Sequence, residues 1–332
     1  MPHSQRVHLF ASKKINTVDD FLRNHKDCPI TPSELPAVPR IIAIGDLHGD
    51  FEVLTSCLRK AKVIDSHGNW IGGDTVVVQV GDVLDRGGRG LSTEASNGLE
   101  ELELFHFLYI LNRQARRKGG RVISLIGNHE LMNLIGDFRY AASTHIGGMG
   151  GYQRRRELFR PGGPLAKKMA CHSLGIIKIG SWVFVHGGLL PEHIMTTLGD
   201  SSHRGSPLET INTLVRKILL GTLRLDSITP AQESLLFDQN GLFWTREFSQ
   251  GQLNPSTCNR VQESMQLLGV SSDKFGGMVI GHTPQTNINS QCGGSVWRID
   301  TGMSEAFGKR ETINNRIQLL EIREKDRILR ML

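Results

Sequence analysis

Three short β-branched runs each end in a glycine followed by a residue able to hold a metal ion, and this repeated ending constrains the fold more than any other feature. The runs are Arg40-Ile41-Ile42-Ala43-Ile44, Thr75-Val76-Val77-Val78-Gln79-Val80 and Val122-Ile123-Ser124-Leu125-Ile126. Such stretches fill a buried sheet. They lead into GDLHGD at Gly45 to Asp50, GDVLDRG at Gly81 to Gly87 and GNHE at Gly127 to Glu130. Helical spacing separates them: Phe51, Leu54, Leu58 and Ala61 share a face within 50–62, and Leu99, Leu102, Leu104, Phe107, Leu108 and Leu111 form a stripe within 97–118. An alternation of strand and helix fits parallel crossovers. In open α/β sheets, ligands gather where the strands end. Asp46, His48, Asp82, Asn128 and His129 are therefore expected at one sheet edge, joined by His186 of VHGG and His282 of GHTP, which also follow apolar runs.

The residue types suit two divalent ions about 3.5–4 Å apart, which need a bridging carboxylate, neutral nitrogen and oxygen ligands, and open positions for water and phosphate. Asp82 suits the bridge. Asp46 and His48 would complete one shell, and Asn128, His186 and His282 the other. No cysteine belongs to the set, which favours manganese, iron or zinc over a thiolate site. His129, beside Asn128, suits a general acid oriented by Asp85, and Arg86 offers a planar fork for two phosphate oxygens. A single histidine at a strand end is ordinarily structural. Six such ligands after five apolar runs are hard to explain as packing, because buried Asp and His are costly unless paired or bound to metal. His145, His172, His193 and His203 lack the pattern and are read as structural.

These motifs, in order from Gly45 to His282, resemble the phosphoprotein phosphatase family of calcineurin-like metallophosphatases. The wording VVQVGDVLDRGG, LIGNHELMNLIGDFRYA, VFVHGGLLPEHI and RIDTGMS resembles its bacterial-like branch, the Shewanella-like protein phosphatases, across roughly residues 40–322. The resemblance implies an α/β calcineurin-like fold: a two-sheet β-sandwich flanked by helices (αββα), with a dinuclear metal site where the strands end. It implies Asp46, His48 and Asp82 around one ion, Asp82, Asn128, His186 and His282 around the other, and His129 with Asp85 as the acid dyad. Arg86 and Arg246 of LFWTR would hold the phosphate, with Arg139 of GDFRYA a further candidate. The implied reaction is metal-dependent, with manganese the first expectation. A hydroxide shared by the two ions would attack phosphomonoesters on phosphoproteins or phosphopeptides, mainly on serine and threonine and in some relatives on tyrosine. Two alternatives stand beside it. Diadenosine-polyphosphate hydrolases share GDxHG and GDxxDRG but usually carry GNHD. A silent phosphoprotein-binding scaffold is opposed by the intact His129, Asp85 and Arg86.

With 332 residues, 39% of them hydrophobic, the chain can bury a large core. One catalytic domain is expected over 40–325, after a polar arm at 1–39 and before a tail at 326–332. Within the arm, Thr17 is placed to cap a short helix over Val18 to Asn24. The Gly- and Arg-rich stretch 136–172 reads as a loop-rich insertion, with Arg154 to Arg156 at a helix start. The net charge of +6 is dispersed, which argues against nucleic acid as a partner. No apolar run reaches the roughly 18 residues of a membrane span and no signal-peptide core opens the chain, so a cytoplasmic address is expected. Five widely spaced cysteines without a CxxC pair point the same way, towards free thiols in a reducing compartment. Oligomeric state leaves no mark in the sequence.

Overall fold

The β-branched runs become adjacent parallel strands. The computed structural model describes residues 15–29, 31–89, 98–198, 205–270, 275–323 and 328–332. Its strands are β1 (Glu34–Leu35), β2 (Arg40–Ile44), β3 (Val76–Gln79), β4 (Arg121–Leu125), β5 (Ser173–Leu174), β6 (Ile176–Ile179), β7 (Trp182–Val185), β8 (Gly277–Ile280), β9 (Asn289–Gln291), β10 (Val296–Arg298), β11 (Leu320–Arg323) and β12 (Ile328–Met331). They form two six-stranded sheets, ordered β12-β11-β2-β3-β4-β5 and β1-β6-β7-β8-β10-β9. In the first, β2 to β5 run parallel and β11 is antiparallel to β2. In the second, β6 and β7 form an antiparallel hairpin, and β7, β8 and β10 run parallel.

Alternate residues of each strand serve different layers, as a period of two requires. Ile41, Ala43, Val78, Ile123 and Leu125 meet Ile177, Trp182, Phe184 and Val279 between the sheets. Ile42, Ile44, Val77 and Val122 join the larger core that includes Leu54, Leu58, Leu104 and Leu108 of the flanking helices Phe51–Lys60 and Glu100–Arg116. Covering both faces explains why the strands read as unbroken apolar runs. The register Ile44↔Gln79↔Ser124 ends β2, β3 and β4 side by side, which puts their Gly-ligand turns at one edge.

Further helices occupy Pro207–Leu220 and Pro255–Leu267. Thr17 caps Val18–Asn24 by accepting from the Asp20 amide, and Phe21 of that helix is buried. The stretch expected to be loop-rich is instead largely helical, with Ser143–Gly148, Tyr152–Phe159 and Pro164–His172 in place of an open insertion. Leu158, Phe159, Leu165, Ala166 and Met169 bury an apolar face there. The glycine pair Gly150 and Gly151, both at positive φ, breaks the helical periodicity without removing the helices. Pro191–Leu198 and Pro230–Phe237 were also not anticipated, although each opens on a proline, a favoured first helical residue. Residues 1–14, the expected helix start at Asn97, His203 and part of the tail lie outside the described residues.

The cysteine expectation is overturned. Cys28 is bonded to Cys171 and Cys258 to Cys292, leaving Cys57 free and buried. Partners 143 residues apart in sequence carry no spacing signal, so their pairing depends on the fold. The inference of a reducing compartment from unpaired thiols loses its support. Among the described residues, no helix is long and apolar enough to cross a membrane.

The chain passes from one sheet to the other at Gly175, between β5 and β6. Asn212 secures that passage: its Oδ1 accepts from the Gly175 and Ile176 amides at 2.7 and 3.1 Å, and its Nδ2 donates to the Ile176 carbonyl at 2.8 Å. Asn212→Ala leaves these buried groups unpaired and is expected to cost about 1–3 kcal/mol. A lowered urea midpoint with an unchanged slope checks this; an unaltered midpoint rejects the splice.

Candidate active site

Asp46, His48, Asp82, Asn128, His186 and His282 are all buried and converge beyond the ends of β2, β3, β7 and β8 and at the start of the helix Asn128–Ile135. Asp82 Oδ2 lies at the centre, 3.3 Å from His186 Nε2 and 3.9 Å from His48 Nε2. Asp46 Oδ2 is 4.0 Å from the same His48 nitrogen. Asn128 Oδ1 sits 2.9 Å from His186 Nε2 and 3.0 Å from His282 Nδ1. Each histidine turns its other nitrogen to the main chain: His48 Nδ1 to the Leu84 carbonyl at 3.1 Å, His186 Nδ1 to Val80 at 2.9 Å and His282 Nε2 to Trp244 at 3.0 Å. A carbonyl partner fixes the proton on that nitrogen and leaves a lone pair on the other, as metal-binding histidines require. The free nitrogens of His48 and His186 face carboxylates, and that of His282 faces the Asn128 amide oxygen.

The electrostatics point to a cation. Burial, then the charges of Asp300 and Asp82, push the Asp46 carboxyl well above its ordinary range. Burial raises Asp300 to about 6, and burial with Asp82 raises Glu130 to about 7. Asp82 feels the same desolvation, yet His186, His129 and His48 hold it well below the usual carboxylate range. Asp46 Oδ1 and Asp300 Oδ2 are buried with no hydrogen-bond partner. Buried carboxylates crowded together with orphaned oxygens and aligned imidazoles are the donor set of a divalent metal centre.

Backbone strain is concentrated in the same place. Outside glycine, φ is positive at His48, Asp82, Asp85 and His282, along with Lys62 and Cys292. Left-handed backbone is costly for such side chains and persists only where the surroundings enforce it. Glu130 does much of the enforcing. Its carboxylate accepts from the amides of Asp82, Val83 and Leu84 at 3.0, 3.0 and 3.1 Å and from Gly127 at 2.7 Å. The motif GNHE held this residue in view, but its role in folding the Asp82 turn follows only from the structure.

His129 Nδ1 lies 2.8 Å from Asp85 Oδ2, and its Nε2 faces Asp82 Oδ2 at 3.8 Å. Burial alone lowers an imidazole pKa, but Asp82 and Asp85 outweigh it and raise that of His129. Asp85 is itself held by Asn133 Nδ2 at 3.0 Å and Arg155 at 3.3 Å, and Arg155 also pairs with Glu101 at 2.7 Å. Arg155 is fully buried, so the central arginine of the 154–156 run is a support for Asp85 and not a surface contact.

The arginines depart most from expectation. The Arg86 fork is directed at Glu100, 2.7 Å away, and at Glu305. Arg139 stands on the surface paired with Asp137 at 2.7 Å. Arg246 is exposed, but its charge acts on His282, whose main-chain partner Trp244 belongs to the same loop. Arg89 was not singled out in the sequence, yet its guanidinium lies 3.3 Å from both His48 Nδ1 and His129 Nε2, between the rings of Tyr140 and Phe307. It follows the DRG motif by a few residues and carries no spacing signal of its own.

Comparison with known proteins agrees with this geometry. Residues 39–239 match the calcineurin-like phosphoesterase family. The chain is a calcineurin-like metallophosphatase. The metallophosphatase is 34% identical over 310 residues to Shewanella-like protein phosphatase 2 of Arabidopsis thaliana, covering 80% of this chain and 72% of that protein. It is 29% identical over 280 residues to Shewanella-like protein phosphatase 1 of Plasmodium berghei, covering 80% and 67%. Among solved structures, the cold-active protein-tyrosine phosphatase of a psychrophilic Shewanella species aligns with a TM-score of 0.67 at 27% identity, over 91% of this chain and 83% of that one. The metallophosphatase is thus a metal-dependent protein phosphatase, a hydrolase of phosphoric monoesters that uses divalent ions.

A Cβ on Gly127 would run into the Asp82 carboxylate and amide, whereas one on Gly147 would meet nothing within 4 Å. Gly127→Ala is therefore expected to displace Asp82 and deplete bound metal. Gly147→Ala, in a helix, should leave metal content intact and raise stability by up to about 1 kcal/mol. Elemental analysis and thermal melts of the two variants provide the check; equal metal content in both would reject the steric reading.

Proposed function

We propose that this metallophosphatase removes phosphate from serine and threonine side chains of phosphoproteins. Asp46, His48 and Asp82 would hold one ion, and Asp82, Asn128, His186 and His282 the other. The observation that carries the proposal is the alignment of three histidines, each tied to a main-chain carbonyl, with their free nitrogens turned to Asp82, Asp46 and Asn128. A pair of divalent ions bound there supplies an activated water at neutral pH and offsets charge on the phosphoryl oxygens. Manganese is the first choice for the nitrogen and oxygen donors, and iron and zinc suit them as well.

The remaining roles belong to side chains. His129 carries a proton on Nε2 for the departing alkoxide, while Asp85 accepts from Nδ1 and keeps the ring turned inwards. Arg89 is the inner cation for the phosphate and Arg246 the outer one, at the mouth beside Trp244. Arg86 binds Glu100 and Glu305 and so steadies the turn that carries Asp85. Phosphotyrosine is the second reading. Tyr140 lies 5.2 Å from the His129 ring and Phe307 the same distance from His48, a pair of aromatic walls able to flank a phenyl ester. The cold-active relative named for tyrosine phosphatase activity adds weight to it.

Matched phosphoserine, phosphothreonine and phosphotyrosine peptides, assayed with manganese-loaded protein beside diadenosine tetraphosphate, test the substrate assignment. Faster turnover of the dinucleotide than of any peptide would overturn it. His129→Asn is expected to keep both ions yet lose roughly 10²–10⁴ in kcat on phosphoserine peptides, and less on nitrophenyl phosphate, whose leaving group needs no proton. Near-normal peptide rates reject the acid role. Arg89→Met should raise KM for phosphopeptides about tenfold, worth about 1.4 kcal/mol of binding, and an unchanged KM removes Arg89 from the phosphate site.

A further inference from the structure

We infer a third metal site, sharing no residue with the dinuclear cradle, in which His25, His172 and Asp27 bind a divalent ion of the zinc class and fasten the N-terminal arm to the catalytic domain. His25 terminates the helix Val18–Asn24, and His172 ends the helix Pro164–His172. The three side chains each offer a ligand atom, all within 4.8 Å of one another, a spacing also met by His48, Asp82 and His129 and by Asp82, His186 and His282 in the cradle.

Two of these ligands carry buried, unused nitrogens. His25 is fully buried, and its Nδ1 has no hydrogen-bond partner; nor has the buried Nε2 of His172. His25 Nε2 lies 2.8 Å from His106 Nδ1. A proton on that Nε2, donated to His106, leaves the Nδ1 lone pair free, the same arrangement as in the cradle histidines. The opposite side of the His172 ring is engaged by the Asp27 main chain and stacks on Tyr109 at 4.0 Å. Orphaned buried nitrogens are costly in packing terms alone. A metal ion satisfies both with one atom.

Charge and covalent structure support the same reading. Lys168 and Arg113 act on these rings, so the negative charge of the site comes from the exposed Asp27 carboxylate. The disulfide between Cys28 and Cys171 joins the residues immediately next to Asp27 and His172, with 4.5 Å between the Cα atoms. It therefore brings ligands from distant parts of the chain together before any ion arrives. Two imidazoles and one carboxylate, the last on an exposed residue, form a zinc-type donor set.

The test is a metal count that does not depend on turnover. Full-length protein with its disulfides intact is loaded with zinc, dialysed and measured by elemental analysis, with three ions per chain expected. Asp46→Asn combined with Asp82→Asn removes cradle ligands and should leave one ion per chain, which His172→Asn in that background removes. In the otherwise native chain, His172→Asn should hold two ions and keep its rate on nitrophenyl phosphate. Asp27→Asn alters an exposed side chain and should weaken zinc binding in the cradle-deficient background at least tenfold, which decides the matter even if His172→Asn fails to fold. Two ions in the native chain, or zinc affinity in the cradle-deficient background unmoved by Asp27→Asn, overturns the third site. Neither result bears on the phosphatase reading, which stands or falls on the peptide assays.

Discussion

Four buried carboxylates share one end of the sandwich: Asp46, Asp82, Glu130 and Asp300. Each raises the cost of ionising another, and water is too remote to screen them. The surrounding structure divides the load. Glu130 is turned away from the cradle and accepts four main-chain amides. Asp82 is surrounded by imidazoles. Asp46 and Asp300 retain unpartnered oxygens. Parallel registry of β2, β3 and β4, left-handed turns at His48, Asp82 and His282, and carbonyl-anchored histidines all serve to hold repelling groups together. A fold that maintains this arrangement without dedicated cations would carry a large unmet electrostatic cost, so metal binding and native geometry are linked.

The His129 side of the site is built differently, from a layered polar network. His129 depends on Asp85, Asp85 on Asn133 and Arg155, and Arg155 on Glu101, which in turn faces His145 at 3.2 Å. Buried ion pairs of this kind add little net stability, because desolvation offsets their attraction. Their value is positional: each member has few alternative partners, so the imidazole has one orientation. The helix Tyr152–Phe159 supplies Arg155. The 136–172 stretch is thus part of the network that holds Asp85 and His129, and not an appendage to it.

What could be read in the sequence and what could not divide along physical lines. Strands β2, β3 and β4 and the residues at their ends were legible because a doubly buried strand and a glycine-ligand turn both leave local patterns. The convergence of Asp46, His48, Asp82, Asn128, His186 and His282 followed from topology alone. The direction of long side chains did not. Arg86 and Arg89 lie on one short loop, and which of them faces the imidazoles is decided by Glu100, on the next helix, and Glu305, far away in sequence. The short helices of 143–172 were hidden by their glycines, because their apolar faces meet the core only in the folded chain. The disulfides were invisible for the same reason: pairing requires proximity in space, and none of the bonded cysteines lies near its partner in sequence.

The doubled glycine after Arg86 shows how closely the two halves of the site are joined. The Gly87 amide donates to the Tyr140 carbonyl at 2.7 Å, and a Cβ on Gly88, at φ +73°, would run into the Arg139 carbonyl. The loop carrying Asp85, Arg86 and Arg89 is therefore pressed against the segment carrying Tyr140, with no side chain between them. Tyr140 in turn stands 5.2 Å from the His129 ring and 5.1 Å from the Arg89 guanidinium. His129, Arg89 and Tyr140 thus form a single packed unit, and Tyr140 cannot be changed without altering the surroundings of the His129 ring. Under the proposed roles, selectivity for the phosphorylated side chain and the efficiency of leaving-group protonation would be coupled through one backbone hydrogen bond and one glycine.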